Sequence, residues 1–494
     1  MTPLEDAVPM RWPSGPLEIA RRETKEKLAS ETRQTLGRWH HPAALDILQD
    51  SPVDCLVLSW AAGLPQDAVQ QQTAAPLIEA ARERGLAVVG WVDDTGDPRA
   101  AITAAKAAGL SAVAVRNFKG GADIPVITWG NRAGVPWEST APVLPILDNV
   151  WPGVGQAAGG AGASAGPTSL PWQDSNGWYI QLARARTPVS IWLMLDPPGK
   201  GAVVPAQSYL LAVCDTESAG ARWVISFDDA FRTGLAEQNG ESLKTWKRIA
   251  AAASFFRKHS DWRAFRPMAL VGVISDFAGP NLDVSGEILN LMARRDLLFR
   301  VIWKSQAAVQ PFAGLKVLLY ADDDRPRPEL RQKVMSFVEQ GGTLIAGPKW
   351  GPEGKPVAGD MHPRFDLRAI GKGRLALAKE SMADPYQIAG DTQILLSHAN
   401  DLVKIYNGAS TGCTNYTASA DGRKALLQVL SYASARQPGK TSVWLRQKYH
   451  SARLWRLNAA SPTPVDLTPA EDFPGLECHL SGSAESYMAL EFEG

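Results

Sequence analysis

The chain reads as an α/β protein: an eight-stranded (β/α)₈ barrel, a smaller α/β domain and a C-terminal β-sandwich. Three observations predict this order. Between residues 34 and 232, eight short apolar, β-branched runs are mostly separated by stretches rich in Ala, Glu, Arg and Leu, and eight such repeats are what a closed barrel needs. Strand-like and helix-like patterns alternate again from Ala269 to Ala346, as in an open α/β sheet. From Asp366 onward, short alternating runs are divided by Gly, Pro, Asn and Asp turns. A chain of 494 residues exceeds what one hydrophobic core usually serves, and the boundaries are placed at 15–263, 264–365 and 366–494.

The eight expected barrel strands are Thr35 to His41, Asp54 to Trp60, Ala87 to Asp93, Ala112 to Asn117, Pro125 to Arg132, Val143 to Asp148, Val189 to Asp196 and Trp223 to Asp228. Between them, Asp67 to Gly85 and Asp97 to Gly109 open with Asp and stop at Gly, the cap signals of crossover helices. Gly153 to Ser169 is rich in Gly, Ala and Ser, which reads as a mobile loop at the barrel mouth or as an interdomain linker. A helical connector, Gly240 to His259, leads into the second domain. There the pattern gives strands at Ala269 to Ser275, Phe299 to Trp303, Lys316 to Tyr320 and Thr343 to Ala346, with helices at Ser285 to Arg294 and Glu329 to Gln340. In the last third, strands are expected at Ser442 to Leu445 and Tyr487 to Phe492, and helix at Arg423 to Ala433.

Lys plus Arg equals Asp plus Glu at 51 each, with no long run of one sign. A nucleic-acid or anionic-membrane partner is therefore not expected. No stretch of eighteen apolar residues occurs, so no spanning helix is expected. Cys55, Cys214, Cys413 and Cys478 lie far apart without a C-x-x-C and read as buried free thiols. Met1 to Pro13 has Glu5 and Asp6 where a signal peptide would be basic and then apolar. The expected location is cytoplasmic as the chain stands, or periplasmic or secreted if an export signal has been removed.

The segment FAGLKVLLYADDDRPRPELRQKVMSFVEQGGTLIAGP (Phe312 to Pro348) resembles the trimerisation domain of glycoside hydrolase family 42 β-galactosidases, a flavodoxin-like fold related to glutamine amidotransferases. The order of the three domains resembles the same family. The resemblance implies a carbohydrate substrate, glycosidase (O-glycosyl hydrolase) activity at the C-terminal ends of the barrel strands, and homo-oligomers formed through the middle domain. Amidotransferase chemistry does not carry over, because that domain has no cysteine to serve as nucleophile. The family also carries Asn-Glu after its fourth strand and Glu after its seventh. Here those runs end in Arg116-Asn117 and in Asp196, so the family's glutamates are not matched.

Hydrolysis of a glycoside needs two carboxylates, one to protonate the leaving oxygen and one to act as nucleophile or base. The strand ends offer Asp93, Asp148, Asp196 and Asp228. Asp148 and Asp196, on neighbouring strands, would suit retention; Asp93 with Asp196, or Asp148 with Asp228, would span the mouth as an inverting pair. Asp228 and Asp229 allow two readings: like-charge repulsion raises one carboxyl and yields a general acid, or Asp229 caps the following helix while Asp228 faces the mouth. His40, Trp60, Trp91, Arg116, Asn117, Trp129, Asn131, Arg132 and Trp151 follow or end the runs. They supply the flat faces and fork donors of a sugar cleft, although some of the 17 tryptophans would equally plug the core. No cofactor or metal is expected: GxxxxGK[ST], HExxH and GxSxG are all missing, and His40 and His41 lack ligand spacing. Two alternatives stay open. One is a catalytically silent carbohydrate-binding or assembly protein; the other is a barrel lyase or isomerase with His40 or His41 as base.

Overall fold

The computed structural model describes residues 2–94, 96–154, 173–196, 203–359, 362–406, 412–432, 441–471, 473–480 and 486–494. Its contacts form two compact units, Met1–Pro152 with Thr187–Arg263, and Gly153–Arg186 with Ala264–Gly494.

In the first unit, Pro9–Trp12, Cys55–Ala61, Ala87–Val92, Ala112–Val115 and Val126–Thr128 pair in parallel, each with the next. Gly130–Asn131, Val143–Leu147, Ser190–Leu193 and Arg222–Trp223 do the same. Only Trp129 separates Val126–Thr128 from Gly130–Asn131, so these are the two halves of a fifth strand. A parallel bridge between Met10 and Ile225 closes the ring. The first four strands are buried along their whole length, which is why they read as continuous apolar runs instead of alternating ones. Inward residues two apart, such as Cys55 and Val57, Val89 and Trp91, Ala112 and Ala114, or Ile127 and Trp129, form one core cluster.

The first strand lies elsewhere than expected. Thr35 to His41 belongs to the helix Ser30–Trp39 and its cap, because Thr35, Leu36 and Trp39 share one buried helical face. The strand is Pro9–Trp12, which the buried Arg11 disguises, so the ring begins before residue 15. Gly153–Arg186 also departs from the expected boundaries, since its contacts belong to the second unit. The expected loop or linker between Gly153 and Ser169 lies outside the described residues from 155 onward. Asp97 caps Pro98–Ala107 by accepting from the amides of Arg99 and Ala100. The stretch from Asp67 to Gly85 is two helices, Gln66–Thr73 and Ala75–Glu83, meeting at Ala74.

In the second unit, the parallel strands Val271–Ser275, Phe299–Trp303, Val317–Tyr320, Thr343–Ala346 and Gly373–Ala378 lie in spatial order 2-1-3-4-5. Phe365–Ile370 and Lys355–Pro356 extend this sheet antiparallel, so a boundary at 365/366 cuts through it. The turn responsible uses Gly371 at φ +56°, and a Cβ on the following Gly373 would sit 2.1 Å from the Val338 carbonyl oxygen. Two further antiparallel sheets of six and four strands contribute to one core, with Leu427, Leu490 and Phe492 from one meeting Val443, Leu445 and Leu480 from the other. Arg423 to Ala433, expected as helix, contains the strand Lys424–Ser431. It pairs on both edges, with Gly412–Ala418 and Tyr487–Glu493, and a strand buried on both faces loses the alternation that would have marked it.

All four cysteines are buried and free. Among the described residues no helix is long and apolar enough to cross a membrane.

Candidate active site

The site is built by the helix Gly15–Glu23, which follows the first strand after only Pro13 and Ser14. Gly15 makes this abrupt turn at φ +82°, and a Cβ there would lie 2.4 Å from Gln70 Oε1 and 2.6 Å from His40. The helix sets Glu18, Arg21 and Arg22 on one face, three and four residues apart. Glu18 accepts from Ser59 Oγ at 2.6 Å and from Arg21 at 3.1 and 3.2 Å, while Arg11 stands 3.7 Å away. Burial alone would raise the Glu18 carboxyl; the charges of Arg21 and Arg11, with the hydrogen bonds from Arg21 and Ser59, outweigh it and hold the group at about 2.

Arg21 joins this cluster to the strand ends. Its Nε lies 3.9 Å from Asp93 Oδ2 and its Nη1 3.4 Å from Asp196 Oδ2. One guanidinium therefore gathers carboxylates that follow the third and seventh strands. Asp93 is further held by the Trp91 indole, which donates to Oδ1 at 3.0 Å. Burial pushes the Asp93 carboxyl upward and the negative charge of Asp196 adds to this, against Arg21, Arg11 and the Trp91 hydrogen bond. Arg22 binds Asp229 through both Nη atoms at 2.8 and 2.6 Å, and Asp229 also pairs with the buried Arg232.

Asp93 and Asp196 are thus the two expected carboxylates brought together. Asp228 is spent on structure: it accepts from the Phe231 amide as the cap of Asp229–Ala236, from the Val204 amide and from Tyr209 Oη, each at 2.8 Å. It is 1% exposed, so the roles expected of this pair are reversed: Asp228, not Asp229, is the cap, and Asp229 is an ion-pair partner. Asp148 is exposed with a left-handed backbone, φ +60°. That conformation turns the next residue inward, and Asn149 Nδ2 bonds the carbonyls of Ile146 at 2.6 Å and Met194 at 3.0 Å, between the sixth and seventh strands.

The expected sugar-binding residues divide in the same way. Trp60 points away from the lumen and donates to the Ala101 carbonyl at 2.9 Å; its place within the strand, opposite in parity to Ser59, puts it against the helix layer. Trp91 and Trp129 stack at 4.9 Å inside the ring, 3% and 7% exposed, so they plug the core and present no open stacking face. Arg116 lies over Trp129 at 5.4 Å and pairs with Asp94. Arg132 donates to Asn149 at 3.3 Å. Asn131 ends the fifth strand beside Leu147, Asn117 is exposed at φ +54°, and Trp151 is half-buried against Tyr209 and Trp223. His40 caps a helix with its ring nitrogens 3.2 Å from Ser14 Oγ and 3.0 Å from Thr73 Oγ1, and burial lowers its pKa. Both nitrogens are therefore occupied away from the strand-end carboxylates, and a histidine base finds no support. Exposed His41 accepts from the Ala43 amide at 3.2 Å.

Glu18, Arg21, Arg22 and Arg11 were not anticipated, because the first 34 residues fell outside the expected ring, and Arg232, on the helix Asp229–Ala236 after the last strand, was not singled out. A signal was present: Arg11 in the apolar run PMRW, followed by LEIARR with Glu and two Arg at helical spacing.

No family model matches the chain, and no curated protein matches it. Among solved structures, it is similar to α-L-fucosidase isoenzyme 2 from Paenibacillus thiaminolyticus, at TM-score 0.57 and 12% identity over 92% of this chain and 96% of that one. It is also similar to a β-galactosidase from the Antarctic haloarchaeon Halorubrum lacusprofundi, at TM-score 0.54 and 11% identity over 93% and 98%. At these identities the likeness is one of fold, and that fold is the one on which these two glycosidases are built.

Proposed function

We propose that the chain is a glycoside hydrolase acting on a saccharide at the C-terminal ends of the barrel strands, with Asp93 as general acid and Asp196 as base. The observation that carries this reading is the gathering of the two carboxylates by Arg21, at 3.9 and 3.4 Å. Both contacts are longer than a good hydrogen bond, so an entering sugar can take them over. Half-buried Asp93 takes the acid role because burial shifts its carboxyl upward, towards holding the proton that the glycosidic oxygen needs, and Trp91 fixes the direction in which it points. Asp196, 43% exposed, sits where water reaches it and would remove a proton from the attacking water. Carboxylates following the third and seventh strands face each other across the ring, which suits inversion, a mechanism whose carboxylates stand roughly 6.5–9.5 Å apart to admit that water. The fold likeness to two glycosidases supports the reaction class.

A screen of aryl glycosides and oligosaccharides, followed by Asp93→Asn and Asp196→Asn, tests the reading. The expected outcome is loss of about 10²- to 10⁴-fold in kcat for each variant, with the product formed in the opposite anomeric configuration by NMR. Full activity in both variants would overturn the assignment.

A second reading, a catalytically silent carbohydrate-binding protein, is favoured by one observation. Glu18 and Arg21 occupy the strand ends, and the cavity beside them measures only about 180 Å³. Saccharide binding without turnover in the same screen would select it.

A further inference from the structure

The cavity beside Asp196 has a charge pattern that the hydrolysis reading does not use. Four cations, Arg21, Arg22, Lys25 and Arg232, line it against three carboxylates, Glu18, Glu26 and Asp196. Glu18 is already saturated by Arg21 and Ser59. Arg232 is 1% exposed, and while its Nη2 bonds Asp229, its Nε and Nη1 have no hydrogen-bond partner among the described residues. Donors of a buried guanidinium left unmet cost free energy that a bound oxyanion recovers, and the planar fork suits carboxylate and sulfate alike. A volume of about 180 Å³ falls below the roughly 300 Å³ at which pockets for whole ligands begin; it fits an acidic substituent better than a complete oligosaccharide.

We infer that this cavity is a subsite for an oxyanion carried by the sugar, a uronate carboxylate or a sulfate ester, seated on Arg232 with Arg22 and Lys25 and presenting the glycosidic bond to Asp196. The inference rests on the hydrolysis reading for its substrate, but its test does not need turnover. Calorimetry with D-glucuronate, D-galactose 6-sulfate and D-glucose separates the two sources of the anion. An acidic sugar is expected to bind at least about tenfold more tightly than glucose, since charged hydrogen bonds contribute roughly 1.5–3 kcal/mol and ~1.4 kcal/mol is tenfold. Added salt should weaken that preference. Arg232→Lys keeps the charge and removes the fork, and should cost most of the preference. Lys25→Gln, at an exposed position, should lower it about threefold through loss of one surface charge. The Lys25 variant decides the matter if the Arg232 variant does not fold. Equal binding of all three sugars, or unchanged affinity in every folded variant, would overturn the subsite. Binding of the acidic sugar without hydrolysis would keep the subsite and sink the catalytic reading; hydrolysis of neutral glycosides with no acidic preference would do the reverse.

Discussion

Glu18 and Arg21 form an ion pair at 3.1 Å beside the strand ends, with the Glu18 carboxylate only 2% exposed. Glu18→Gln would leave the buried Arg11 without its counter-charge and Arg21 with only its longer contacts to Asp93 and Asp196, and removing one partner of a buried pair costs about 3–5 kcal/mol. Chemical denaturation of the variant is expected to show a loss of that size.

The same carboxyl gives the fold a pH dependence. Its folded pKa of about 2 lies below the ordinary 4.5, so its contribution is fully present above pH 4.5 and disappears as the pH falls from there through 2. Linkage puts this on the order of 3 kcal/mol. Acid titration of stability should therefore be shallower in Glu18→Gln than in the native chain. Parallel curves would show that Glu18 is not the group responsible.

Asp228→Ala removes three hydrogen bonds to one buried carboxylate and should cost about 2–4 kcal/mol, as loss of a cap and of buried partners does. Activity per folded molecule should stay at the native level. A specific fall in kcat at unchanged stability would return Asp228 to the chemistry.

Trp91→Phe keeps an aromatic ring in the stack and deletes the donor to Asp93 Oδ1. A hydrogen bond to the carboxylate favours its charged form, so its loss raises Asp93 further. The alkaline limb of the pH profile for kcat/KM should move to higher pH, because a general acid works only while protonated. In Trp60→Phe, which loses a bond to the Ala101 carbonyl in the helix layer, the limb should stay where it is.

Asp296 offers an independent handle in the second unit. Burial lifts its carboxyl to about 6, against a hydrogen bond from Thr414 and the charge of Lys404. Because the folded pKa is the raised one, stability is greatest below the ordinary 3.8 and declines as the pH climbs through 6. Asn accepts the same bond and tolerates the local φ of +54°. Asp296→Asn should therefore raise the melting temperature at pH 8 and leave it nearly unchanged at pH 4.

Seven of the eight barrel runs were legible because parallel strands covered on both faces are continuously apolar. The eighth was not, since Arg11 interrupts PMRW and its partners Ser59 and Glu18 lie 48 and 7 positions along the chain. Asp93 and Asp196 could be named as candidates, but composition gave no means of choosing between them and Asp148 or Asp228. Parity offered part of the choice: Trp91 points inward, so Asp93, two positions on, shares its face, whereas Trp60 does not share the face of Ser59. What decides Asp148 is a left-handed backbone, and what decides Asp228 is a tyrosine 19 positions away. Neither leaves a periodic trace.

The bridge between Met10 and Ile225 has a further meaning for how the chain is made. Two hydrogen bonds, Arg11 N to the Ile225 carbonyl at 2.8 Å and Ile225 N to the Pro9 carbonyl at 2.9 Å, seal the ring. During synthesis the N-terminal strand emerges first and waits with one bare edge until the last strand has left the ribosome. An unpaired edge invites foreign strands, so this seam is an edge at which a translation product interrupted before Ile225 can pair with its neighbours.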